Sequence, residues 1–209
     1  MHKDIDIIIY GATGFTGTLC VKYFQSLNTT VTWAIAGRNL TKLQEVAQDN
    51  QTKVEILIAD SDDESALDNM TSRARVILST TGPFHRYGSK LVASCIKNHA
   101  HYVDITGENF WVKGLIGKHH AEASAKGIRI IPSCGFDSIP SDLGTFFSAK
   151  TLAKPIKRIE SFHSYKGGAS GGTLETMFSM GELDLGDDLT DPFLLNPKDS
   201  YSDEQKQLS

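Results

Sequence analysis

Residues 5–24 read IDIIIYGATGFTGTLCVKYF. A run of β-branched residues passes into a glycine turn and then into a helical pattern, and this succession decides the fold. Ile5 to Tyr10 read as a first strand, and Gly11, Gly14 and Gly17 follow at once and open a helix. The G-x-x-G-x-x-G spacing is weak by itself, because a strand-to-helix turn often takes glycine for geometry alone. Set between a first strand and a first helix it says more. Small residues let the backbone approach a pyrophosphate, and unpaired N–H groups with the helix dipole supply positive potential. Thr13 and Thr16 add hydroxyl donors, and Phe15 is expected to start the buried face of the helix.

The same alternation continues outward from this stretch. Further strands are expected at Val31 to Ala36, Lys53 to Ala59, Val76 to Thr80, His101 to Asp104 and Ile128 to Pro132. Between them the period becomes helical. Leu19, Tyr23 and Leu27, with Cys20 and Phe24, make one stripe; Leu43, Val46 and Ala47 a second; Leu91, Val92, Cys95 and Ile96 a third. A helix-forming segment from Val112 to Lys126 ends before Gly127, which suits a C-terminal cap. Strands alternating with helices imply right-handed crossovers and a parallel sheet covered on both faces. The expectation is an α/β, doubly wound domain with a parallel sheet over residues 1–150, followed over residues 151–209 by the incomplete start of a second domain. In that second part IKRIESFHSY (156–165) alternates as an exposed strand, SGGTLET opens a helix, and Asp184 to Ser209 read as a loop or disordered tail. One strand and one helix cannot bury their own apolar faces, so an open strand edge predicts self-association.

The end of the second strand selects the nucleotide. An acid there would accept hydrogen bonds from an adenosine ribose, whereas arginine accommodates a 2′-phosphate. The chain reads WAIAGRNLTKL, with Arg38 where the acid would stand and Lys42 one turn later, which favours NADP over NAD. The remaining polar clusters all follow predicted strands, at the sheet edge where such ligands lie. Asp60 and Ser61 are expected near the adenine, and Thr81, Gly82 and Pro83 beneath the pyrophosphate and nicotinamide ribose. Asp104, Glu108 and Asp137 fall nearer the reactive ring. Tyr87, Glu108, Cys134 and Asp137 are the proton donors available there, with Tyr87, Glu108 and Asp137 the catalytic candidates. Tyr87 has Leu91 rather than lysine at its i+4 position, so no short-chain-dehydrogenase pair is formed.

Composition narrows the class. The chain has 209 residues, 40% hydrophobic and 22% charged, with a formal net charge of -4. This is an ordinary globular composition with no electrostatic reason for a nucleic-acid partner. No apolar run reaches the roughly 18 residues of a transmembrane helix, and MHKDIDIII lacks a signal-peptide pattern, so a cytoplasmic location is expected. Cys20, Cys95 and Cys134 form no C-x-x-C, and the adjacent His119 and His120 diverge on a helix, so no metal site is expected.

Taken in order, GATGFTG, WAIAGRN, TTGPFHRYG, YVDITGE, PSCGFDSIPSDLG and SGGTLET resemble the saccharopine dehydrogenase-like oxidoreductases, in the branch that includes trans-acting enoyl reductases. The resemblance implies a Rossmann-type first domain and a nicotinamide cofactor held by Gly11 to Gly17 and Arg38, with the loop Thr80 to Phe84 completing its site. It also implies a second, mixed α/β domain that covers the cofactor and shapes the substrate pocket. Members of this family are longer than this chain, which is therefore expected to be a fragment and to depend on the remainder for catalysis. The implied reaction moves hydride between NADP(H) and an unsaturated C=C, C=O or C=N group of a small molecule, lipid-like or amino-acid-derived. The alternative is a noncatalytic dinucleotide-binding module that senses redox state.

Overall fold

The computed structural model describes residues 3–152, 155–156, 158–164, 166–197 and 200–202. Six strands, β1 (Ile5–Tyr10), β2 (Trp33–Gly37), β3 (Glu55–Ile58), β4 (Ala74–Ser79), β5 (His101–Asp104) and β6 (Ile130–Ile131), form one parallel sheet in the order β3-β2-β1-β4-β5-β6. The connecting helices are α1 (Phe15–Ser26), α2 (Leu40–Asp49), α3 (Glu64–Arg73), α4 (Phe84–Lys97) and α5 (Asn109–Ala125). Strand alternation divides the core between the two faces. Ile8, Tyr10, Ala34, Ala36 and Tyr102 pack with α3, α4 and α5, whereas Ile9 and Ile35 pack with Val21 of α1 and Leu43 of α2. Strand order reverses at β1, so the glycine turn and the ends of β2 and β4 share one crevice.

Two local expectations are corrected. Phe15, Leu19, Tyr23 and Leu27 lie exposed, and α1 instead seats Gly17 and Val21 with Cys20 and Phe24 at their flank. Gly17 lets the helix approach β1 so closely that the face 17, 20, 21, 24 becomes the inner one. In the second part, the described residues of 156–165 carry no strand; Lys157 and Tyr165 lie outside the described residues. A solitary strand has no partner to hydrogen-bond. The strand edge that predicted self-association is therefore missing from the described residues.

Two further helices follow the sheet. In α6 (Ile139–Thr151) no residue is buried, and α7 (Gly171–Gly181) begins at Ser170, whose side chain accepts from the Thr173 N–H at 3.2 Å. Arg86 of α4 pairs with Glu182 at 2.8 Å just beyond α7. Where the sequence reads as a loop or disordered tail, a 3₁₀ turn at Gly186–Leu189 is held against α5 by Lys113 and Asp188 at 2.7 Å. Residues 203–209 of that tail lie outside the described residues. No described helix is long and apolar enough to cross a membrane.

Candidate nucleotide-binding site

A cleft of about 310 Å³ opens at the carboxyl edge of the sheet, above β1, β2 and β4. Its first wall is the glycine turn. Gly11 has φ +84°, and a Cβ there would lie 2.3 Å from Thr81 Oγ1. A Cβ at Gly17 would lie 2.1 Å from the Gly11 carbonyl oxygen, so the first turn of α1 is pressed onto the end of β1. Gly14 is the N-cap of α1 and offers no side chain to the first-turn N–H groups. These donors and the helix dipole face the cleft lined by Gly11, Thr13, Gly14, Phe15 and Thr16. Such a cradle fits a pyrophosphate.

The second wall comes from the ends of β1, β2 and β3. Tyr10, Gly37, Arg38 and Ser61 all line the cleft. Asp60 does not; its carboxylate accepts from the Asp62 N–H at 3.0 Å and shapes the turn that presents Ser61. Lys42 is exposed in the first turn of α2, where its N–H donates to the Asn39 side chain at 3.0 Å. It too stands outside the cleft.

The third wall is the loop after β4. Thr80 donates through its hydroxyl to the Tyr10 and Gly11 carbonyls, both at 3.2 Å, tying this loop to the glycine turn. Thr81 and Gly82 line the cleft, and Thr81 Oγ1 is buried without a hydrogen-bond partner. Pro83, after a cis Gly82–Pro83 bond, is buried at the N-cap of α4, outside the lining. Tyr87 reaches the cleft from the first turn of α4. Opposite it stand Ser170, Gly172 and Glu175 of the α7 region.

The other catalytic candidates are placed elsewhere. Glu108 is 1% exposed, accepts from the N–H groups of Phe84 at 2.7 Å and His85 at 2.8 Å, and meets His85 Nδ1 at 2.6 Å. It is the anionic cap of α4, and both of its oxygens are occupied. Asp137 is exposed in the loop before α6, and Cys134, its thiol pushed up by burial, donates to the Ile131 carbonyl at 3.3 Å. Asp104 is buried at the end of β5; its Oδ1 accepts from the Thr106 and Ser133 N–H groups at 2.9 and 3.0 Å.

A separate apolar cavity of about 370 Å³ lies among α4, α5 and β6. His119 lines it and is held below its ordinary pKa by burial, so it stays neutral. Among the described residues no three His, Cys, Asp or Glu side chains converge as a metal site.

Residues 7–131, more than half of the chain, match the family model of the saccharopine dehydrogenase NADP-binding domain. This chain belongs to that family. It is 41% identical over 147 residues to a trans-acting enoyl reductase of Mycobacterium leprae, covering 69% of this chain and 35% of the relative. A lipid droplet localized protein of Caenorhabditis elegans is 35% identical over 190 residues, covering 82% of this chain and 44% of that protein. The chain thus spans half or less of the length of the curated relatives it matches. Apo saccharopine dehydrogenase (L-Glu forming) of Saccharomyces cerevisiae shares the fold with a TM-score of 0.59 at 18% identity, over 70% of this chain and 31% of that one. NADP is the cofactor of the domain.

Sequence reasoning passed over Tyr10, Gly37, Ser170, Gly172 and Glu175 as lining residues. Tyr10 had one visible signal, a phenol closing a run of isoleucines, and Gly37 stands directly before Arg38. The other three come from a segment whose place over the cleft only the tertiary structure reveals.

Proposed function

We propose that this chain is the cofactor-binding half of an NADP-dependent oxidoreductase, residues 1–150 holding the nucleotide and residues 151–209 beginning the substrate domain. The observation that carries this reading is the meeting of an uncapped α1 N-terminus, Arg38 and Thr81–Gly82 in one cleft. Gly11 to Gly17 would hold the pyrophosphate, Arg38 the 2′-phosphate, and Thr81 and Gly82 the nicotinamide ribose. The bound nicotinamide supplies hydride chemistry. Reduction of a C=C, C=O or C=N group leaves negative charge that needs a proton, and of the catalytic candidates Tyr87 is the one that lines the cleft. Glu108 holds the α4 N-terminus that carries Tyr87. The name of the mycobacterial relative makes an enoyl thioester the first substrate class to assay, with imines next. Three free cysteines accord with a reducing cytoplasm. Self-association is part of the same reading, now through exposed apolar helices.

Calorimetric titration with NADPH and NADH tests it. NADPH should bind at least about tenfold tighter, and Arg38→Ala should abolish the preference, since one charge-assisted bond contributes roughly 1.5–3 kcal/mol. Absence of binding by a folded chain would overturn the site. Binding without turnover by the full-length protein across enoyl thioesters, imines and ketones would leave a redox-sensing module instead.

A further inference from the structure

Tyr10 closes β1 after Ile7, Ile8 and Ile9, and it is 3% exposed. Its ring belongs to the core cluster shared with α3 and α4, on the same side as Ile8. A phenylalanine side chain would keep the ring in that space. The hydroxyl is the part that packing does not explain, because burying a phenol is unfavourable unless its polar end has a use. That end comes out at the cleft. Tyr10 lines it beside Arg38 and Ser61, and its oxygen meets the Ser61 side chain with Arg38 and Asp60 close by.

Three adjacent strands therefore deliver one group each to a single spot: Tyr10 from β1, Arg38 from β2 and Ser61 from the loop after β3. The chemistry of the three is anion recognition, one permanent cation with two neutral hydroxyls. Burial, then the charge of Asp60, holds the phenol above its ordinary pKa, so it keeps its proton and acts as a donor at neutral pH. Two acids lie nearby, and each has a partner of its own. Asp60 is engaged by the Asp62 N–H, and Asp62 pairs with Lys90 at 3.0 Å.

We infer that Tyr10 is a specificity-determining residue whose hydroxyl donates a hydrogen bond to the 2′-phosphate of NADP, beside Arg38. This rests on the proposed placement of the adenosine half. A neutral donor at a buried floor discriminates by the acceptors it is offered as well as by charge: a phosphate presents several oxygens to it, a 2′-hydroxyl only one. The phenol and the guanidinium would then act on the same group from two sides.

The test is a titration of the chain with NADPH, NADH, 2′,5′-ADP and 5′-AMP, using wild type, Tyr10→Phe, Ser61→Ala and Arg38→Ala. Tyr10→Phe keeps the ring and should weaken NADPH and 2′,5′-ADP by about tenfold, leaving NADH and 5′-AMP unchanged. Ser61→Ala, which removes the group the phenol meets, should lower the same preference by a smaller factor. Equal losses for phosphorylated and unphosphorylated ligands, or no loss in Tyr10→Phe, would overturn the inference. Should Tyr10→Phe melt too early to titrate, an unaltered preference in Ser61→Ala would overturn it instead. A wild type that binds none of the four ligands sinks the cofactor reading as well. A wild type that prefers NADPH, loses the preference in Arg38→Ala and keeps it in Tyr10→Phe sinks this inference alone.

Discussion

Asp104 shows how one residue at the end of a central strand can oppose the stability of the domain it helps to shape. One carboxylate oxygen anchors two backbone turns, while Oδ2 and the neighbouring Tyr102 hydroxyl are both buried without a hydrogen bond of good geometry. Burial raises its pKa above the ordinary 3.8, against the opposing pull of the Thr106 and Ser133 N–H groups. The folded chain therefore holds this proton more tightly than the unfolded chain. Its stabilising contribution is complete below the ordinary carboxylate pKa and is lost as pH rises through the raised folded value. Asp104→Asn keeps an acceptor for both N–H groups and places a donor toward Tyr102, without a charge to bury. Urea midpoints measured for both proteins from about pH 4 to pH 7 should show the variant gaining on wild type as pH rises. A difference that does not change with pH would mean Asp104 is not the titrating group.

At the scale of elements, α4 links the sheet to the cleft. Its first turn carries His85 and Tyr87, and its N–H groups end on Glu108, a residue that reads from the sequence as a proton donor. An acid at the end of a strand in an α/β fold can meet substrate or cap the next helix, and the letters alone do not distinguish the two. Glu108→Ala should cost about 2–4 kcal/mol, since it leaves buried donors unpaired and removes an anion from a helix N-terminus. Amide exchange at Phe84 and His85 should accelerate more than in the strands; protection unchanged there would count against the capping role. The strands were legible because residues such as Ile8, Ile9, Ala34 and Ile35 are buried on both faces and leave unbroken apolar runs. The inner face of α1 was not, since its deciding contact is made by Gly17, which hydrophobic periodicity does not count. The alternation of 156–165 was equally misleading. Period two describes a face, but a strand needs a neighbour to bond with.

At the scale of the molecule, three of the described helices leave large apolar side chains in water. Phe15, Leu19 and Tyr23 are 71%, 52% and 62% exposed and stand at i, i+4 and i+8 along α1. Leu143, Phe146 and Phe147 are exposed on α6, which buries no residue, and Met177 and Phe178 are exposed on α7. Scattered apolar side chains are normal at a surface, but rows of them along three helices are the mark of faces that pack against protein. In this chain on its own, a second copy is the protein at hand, so the ground for self-association passes from a strand edge to these rows. A modest net charge of -4 opposes association only weakly. Sedimentation velocity over a wide concentration range should show a concentration-dependent increase in mass. Leu19→Glu with Tyr23→Glu alters α1 alone, and Phe146→Glu with Phe147→Glu alters α6 alone, at positions that are each more than half exposed. If one helix makes the contact, only its pair should restore a monomer; if both contribute, each pair should weaken association and the four changes together should abolish it. A wild type that sediments as a clean monomer at high concentration would show that these faces are tolerated in water.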